Sequence, residues 1–145
     1  MLGYQKVFTA FTLCGYAGLD YEGHQLSPAN RFDGNSGGHV GGKVRLDVES
    51  DFAMPNYFNL IATYSSARDR YWVRARGGRD FSGFVVGPEI LAIGDHYAHE
   101  ERYGVLVNVR HFLPAPLSIS AGQARTPAGS AGVTPYATME FSMTF

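Results

Sequence analysis

The sequence predicts an all-β fold: an antiparallel up-and-down transmembrane β-barrel of the outer-membrane type, with about eight full strands and an N-terminal stub. Three observations predict it. Segment after segment alternates apolar and polar residues with period two, and none keeps a helical 3.6 period over a useful length. The last ten residues, Tyr136 to Phe145, set Met139, Phe141, Met143 and Phe145 on one face and Thr138, Glu140, Ser142 and Thr144 on the other, and the chain closes on an aromatic residue. The connections also sort by side. Counted back from the C-terminus, the turns at Pro55 and Pro114 fall on one side, and the polar loops near Asn30 and His96 fall on the other. Short turns on one side and longer loops on the other are the habit of a membrane barrel.

Each element follows from its residues. Met1 to Gln5 is the stub, with a turn over Gln5 to Phe8. Thr9 to Glu22 is a long strand; Phe11, Leu13, Gly15, Ala17, Leu19 and Tyr21 share one face, and Thr12, Cys14, Tyr16, Gly18, Asp20 and Glu22 the other. A polar loop with Pro28, Asn30, Asp33 and Gly34 follows. Gly38 to Asp51 is the clearest strand: Val40, Gly42, Val44, Leu46 and Val48 oppose Lys43, Arg45, Asp47 and Glu49. Beyond the turn at Ala53 to Asn56, Phe58, Leu60, Ala62 and Tyr64 share a face. Arg70 to Gly77 sets Tyr71, Val73 and Ala75 against Arg70, Trp72, Arg74 and Arg76. Gly78 to Gly83 turns the chain, Phe84 to Gly94 is a more apolar strand with Glu89 at its centre, and Asp95 to Glu100 is a polar loop. Tyr103, Val105, Val107 and Val109 then alternate with Arg102, Gly104, Leu106, Asn108 and Arg110. A turn at Leu113 to Pro116, a strand from Leu117 to Gly122 and a small-residue loop over Thr126 to Gly132 lead to the closing strand.

Composition agrees with this class. A chain of 145 residues is one domain by length, taken as residues 1–145 of a partial barrel. Net charge is −1, so bulk charge does not point to nucleic acid. No apolar run approaches the ~20 residues of a spanning helix, and Phe84 to Ile93 is broken at Gly87-Pro88-Glu89. Cys14 is the single cysteine, so no intrachain disulfide forms.

In lipid every backbone polar group must be paired internally, which a sheet achieves by closing. Apolar faces then meet lipid, and the lumen receives Lys43, Arg45, Asp47, Glu49, Arg70, Arg74, Arg76, Glu89, Arg102, Arg110 and Glu140. These charges are expected to pair across a narrow interior. Glu89, beside the strand of Arg74 and Arg76, is the best candidate for such a pair. Tyr21, Phe32, Tyr71, Trp72, Tyr97, Tyr103 and Tyr136 lie toward the predicted outer rim as an interfacial girdle, and Tyr71, Trp72 and Tyr97 could also stack on a glycan.

Several stretches, in order across nearly the whole chain, resemble the bacterial cellulose biosynthesis protein BcsS family. They are Met1-Leu2-Gly3-Tyr4-Gln5, Leu26-Ser27-Pro28 with Asn30 and Gly34, Tyr71-Trp72-Val73-Arg74-Ala75-Arg76, Val86-Gly87-Pro88-Glu89, and Pro135-Tyr136-Ala137 with the terminal Phe145. The resemblance implies an outer-membrane barrel encoded with cellulose synthase components. It implies an accessory part in making or exporting cellulose rather than catalysis. Its expected partners are outer-membrane lipid and cellulose or other members of the synthesis and export machinery. Family members extend upstream with a signal peptide and further strands, so a piece of a longer protein is expected.

Chemistry of other kinds has thin support. Gly34-Asn35-Ser36-Gly37-Gly38 fits Gly-x-Ser-x-Gly but lacks the strand before it and the helix after it that a nucleophile elbow needs. Asp95-His96 with His99-Glu100-Glu101 reads as a solvated loop without fixed metal geometry, and Asn30, Asp33 and Asn35 lack the full calcium-loop pattern. No cofactor, metal or catalytic residue is expected. The alternatives are an outer-membrane lipid- or sugar-modifying enzyme with residues at the rim, and a soluble β-barrel that holds a small apolar ligand.

Overall fold

The computed structural model describes residues 1–24, 37–51, 54–109, 117–126 and 132–141. They form one antiparallel sheet of nine strands: β1 (Leu2–Val7), β2 (Phe11–His24), β3 (Gly37–Ser50), β4 (Asn56–Ser65), β5 (Arg70–Asp80), β6 (Phe84–Gly94), β7 (His99–Val109), β8 (Leu117–Arg125) and β9 (Val133–Phe141). Each strand pairs with its chain neighbours, and the spatial order is the chain order, β1 to β9. The described residues contain no helix. The predicted all-β antiparallel meander, eight strands and a stub, is the observed one.

The connections are tighter than the sequence suggests. β1 runs through Val7, and Phe8 N–H donates to Phe11 O at 2.8 Å, so the first turn needs only Thr9 and Ala10. β5 continues through Gly78, Arg79 and Asp80, where a turn was expected. A two-residue turn suffices because Ser82 (φ 58°) and Gly83 (φ 106°) are both left-handed. That is the twist-matched hairpin turn, and Phe81 N–H to Phe84 O (2.7 Å) closes it. The connection at His96 is also short, residues 95–98, because the Asp95 carboxylate accepts from the N–H groups of Tyr97 (2.8 Å) and Ala98 (2.9 Å). So the polar loop expected over Asp95 to Glu100 is shorter than predicted, and length alone sorts the loops less sharply. The connection over 25–36 remains the longest, and its residues lie outside those described, as does the predicted turn at Pro114.

The two faces of the sheet differ in kind. One carries Leu19, Tyr21, Val40, Val44, Phe58, Tyr64, Val86, Ile90, Tyr103, Val105, Ile119, Met139 and Phe141, and all of these are exposed; Leu19 reaches 85% and Val105 57%. Four charged residues share this face by strand parity, Lys6, Arg79, Glu101 and Arg125, and each lies within two positions of a strand end. The other face buries polar groups: Asn59, Ser65, Arg76, Glu89, Asn108 and Ser120. Its apolar core is small, Tyr57, Val85 and Leu106.

The sheet curls toward its polar face. Arg74 on β5 meets Glu140 on β9 at 2.5 Å, although three strands separate them. At about 4.8 Å per strand, a flat sheet would hold β5 and β9 roughly 19 Å apart. Asp20 on β2 likewise reaches Ser65 on β4, and Glu22 on β2 reaches Arg70 on β5.

Candidate functional site

The curled-in face is built by parity and register. One row across the sheet aligns Asn59, Arg76, Glu89, Gly104, Gly122 and Tyr136. Arg76 is 4% exposed and Glu89 3%, and the arginine Nε hydrogen-bonds Glu89 Oε2. A buried charge is tolerated only when paired and hydrogen-bonded. The remaining Arg76 donors go to Glu140 at 3.0 Å each, and Arg74 donates to the same carboxylate. The two arginines and two glutamates thus form one neutral cluster. Tyr136 joins it through Glu89 Oε1 at 3.3 Å, and Arg102 lies 5.5 Å over the Tyr136 ring.

Toward the 66–69 end of the sheet the same face opens into a cavity of about 500 Å³. Asp20, Glu22, Lys43, Ser65, Arg70 and Trp72 are among its lining residues. Asp20 accepts from Ser65 Oγ at 2.6 Å and faces Lys43 Nζ at 3.7 Å. Glu22 Oε1 pairs with Arg70 at 2.8 Å. Glu22 Oε2 is buried and lacks a hydrogen bond, with Arg68 Nε 3.8 Å away. Arg74 covers one face of the Trp72 indole at 5.2 Å. The turn over 66–69 folds in here because Gly41 has no side chain; a Cβ there would strike the Ala67 backbone.

A scan of protein families matches the chain from residue 1 to residue 145 with the model described as cellulose biosynthesis protein BcsS. The chain belongs to this family. Membership supports a role in cellulose biosynthesis. No curated protein and no solved structure matches the chain.

For this BcsS family member, most of the charges predicted for the lumen do lie on the curled-in face. Arg74, Arg76, Glu89 and Glu140 come together, with Glu89 paired to Arg76 as the sequence suggested. Lys43 and Arg70 belong to the cavity. Arg45 with Asp47, and Arg102 with Glu100, pair within their own strands at 2.9 and 2.5 Å. Glu49 shares the face by register, opposite Thr12 and Asn59. Arg110 lies outside the described residues.

The three aromatic glycan candidates separate. Trp72 is on the polar face, Tyr71 shares the opposite parity with its register partner Tyr64, and Tyr97 sits exposed in the 95–98 turn. Two girdle assignments are corrected: Tyr136 and Trp72 lie on the curled-in face, because strand parity sets them beside Glu140 and Arg74, and Gly104 leaves room for the Tyr136 ring. Asp20, Glu22, Arg68 and Glu100 were absent from the predicted network. The signal for the two acids on β2 was available, since both share the parity of Thr12 and Cys14.

Proposed function

We propose that this chain is an outer-membrane β-barrel accessory protein of bacterial cellulose biosynthesis and export, structural or transport-related rather than catalytic. One observation carries the reading. The mid-strand positions of the outward face are apolar, many of their large side chains are exposed, and the charged residues of this face stand at strand ends. A surface of this size needs a cover. Lipid covers it at no cost to the charges, which lie at interfacial depth or inside, whereas a mid-membrane Arg or Lys would cost ~2–4 kcal/mol. The polar face then becomes the barrel interior, and the carboxylates there are engaged with guanidinium groups rather than poised for chemistry. The soluble-barrel alternative requires apolar residues inside and charges outside, which is the reverse of the observed distribution.

The test is site-directed labelling in isolated outer membranes. Cys14 is replaced, and single cysteines are placed from position 102 to 109. A lipid-confined probe is expected to label 103, 105, 107 and 109 and to spare 102, 104, 106 and 108. Labelling of the even set, or recovery of the protein only in the soluble fraction, refutes the membrane reading.

A further inference from the structure

We infer that the cavity over Asp20, Glu22, Lys43, Ser65, Arg70 and Trp72 is a binding site for an uncharged β-linked glucan. The inference deepens the proposed function and rests on it for the ligand's route to the cavity. The volume, about 500 Å³, falls in the range of roughly 300–1,000 Å³ typical of small-molecule sites. Each charge in the lining has its counterion: Asp20 faces Lys43, Glu22 pairs with Arg70, and Arg45, which also lines the cavity, pairs with Asp47. A strongly ionic ligand would leave one pair uncompensated, so the site suits a neutral molecule rich in hydrogen-bonding groups.

The layout also fits a sugar ring. A β-linked glucan carries its hydroxyls equatorially, so its ring faces are apolar C–H surfaces and its edges are polar. Arg74 covers one face of the Trp72 indole, and the ring also lines the cavity, where it offers an apolar platform. Around it stand carboxylate acceptors and guanidinium and ammonium donors, fixed by their own contacts: Asp20 by Ser65, Glu22 by Arg70. Glu22 Oε2 is buried in this wall beside Arg68 Nε at 3.8 Å, an ion-pair distance that leaves it without a hydrogen bond. A buried acceptor left unmade is costly, and a ligand hydroxyl would satisfy it. Ile93, the register partner of Trp72, adds a second apolar wall.

Trp72 is the chain's single tryptophan, so intrinsic indole fluorescence reports on this site alone. The experiment titrates cellohexaose into the full chain folded in detergent micelles, with maltohexaose as the comparison. The expected result is a saturable fluorescence change with cellohexaose, absent with maltohexaose. Asp20→Asn and Lys43→Met, which retain the shape of the wall, should each raise Kd by roughly tenfold or more. No saturable change up to about 10 mM cellohexaose overturns the proposal. So does an unchanged Kd in both variants. Circular dichroism confirms that each protein is folded. A failed titration leaves the lipid-labelling result standing, and failed labelling with an intact titration removes the membrane reading alone.

Discussion

The Tyr136 hydroxyl on β9 reaches Glu89 Oε1 on β6 by crossing two strands, over Gly122 and Gly104. Both glycines lie in the same register row, and a Cβ on Gly104 would collide with the Tyr136 hydroxyl. The bare backbone at Gly104 is therefore what lets the phenol reach the buried carboxylate. Gly104→Val is expected to displace Tyr136 and to cost about 1–3 kcal/mol, the usual penalty for overpacking. Urea unfolding in micelles measures it. Tyr136→Phe in the Gly104→Val background should add little, because the hydrogen bond is already gone; a fully additive loss would refute the link.

The Arg76–Glu89 pair is nearly sealed from solvent. Removing one partner strands a buried charge, so Arg76→Met or Glu89→Leu alone should cost roughly 3–5 kcal/mol. The double variant should regain much of that loss. A double-mutant cycle on unfolding free energies reads the coupling, and losses that simply add would count against a buried pair.

Ser82 holds a left-handed backbone, φ 58°, in the β5–β6 turn. For a residue with a Cβ this costs on the order of 1 kcal/mol, and Asn tolerates it better. Ser82→Asn creates the Asn-Gly dipeptide favoured in such turns and should raise the unfolding midpoint. Gly83→Ala, at φ 106°, should lower it. Opposite shifts in one thermal series check both.

Two backbone N–H groups, from Tyr97 first and Ala98 second, hold the Asp95 carboxyl below its usual range. A depressed carboxylate stabilises the fold above its unfolded value, near 3.9, and that stabilisation is lost as pH falls through the lower folded value. Asp95→Ala should therefore be less stable than the parent at pH 7, by under about 1 kcal/mol at this solvated turn. The gap should close in acid. A gap that is constant from pH 7 to the acid limit would contradict the assignment.

How much of this was legible in the residues varies by element. At Val40 to Val48 the alternation with Lys43, Arg45, Asp47 and Glu49 settles the facing outright, since no single face could tolerate both sets. Glu89 and its arginines were legible because adjacent strands bring opposite charges into one row. Tyr136 was misplaced on its aromatic character alone, although it shares the parity of Thr138 and Glu140. Glu140 bridging to β5 was not legible, since that contact depends on how far the sheet curls rather than on any local pattern. The end of β7 misled for a related reason. Glu100 and Glu101 look like loop residues, yet one turns inward to Arg102 and the other outward to Tyr103.

The strand order has a kinetic consequence. Every ladder joins chain neighbours, so pairing can grow hairpin by hairpin with little loop-closure entropy at each step. The Arg74 and Arg76 contacts to Glu140 are different: they span 66 and 64 residues and cannot form until β9 arrives. Until then Arg76 has Glu89 from the neighbouring strand, but Arg74 still awaits the carboxylate it shares with Arg76. Docking of Glu140 therefore marks a finished sheet, and an assembly arrested before β9 would retain its ladders while leaving that arginine exposed to quality control.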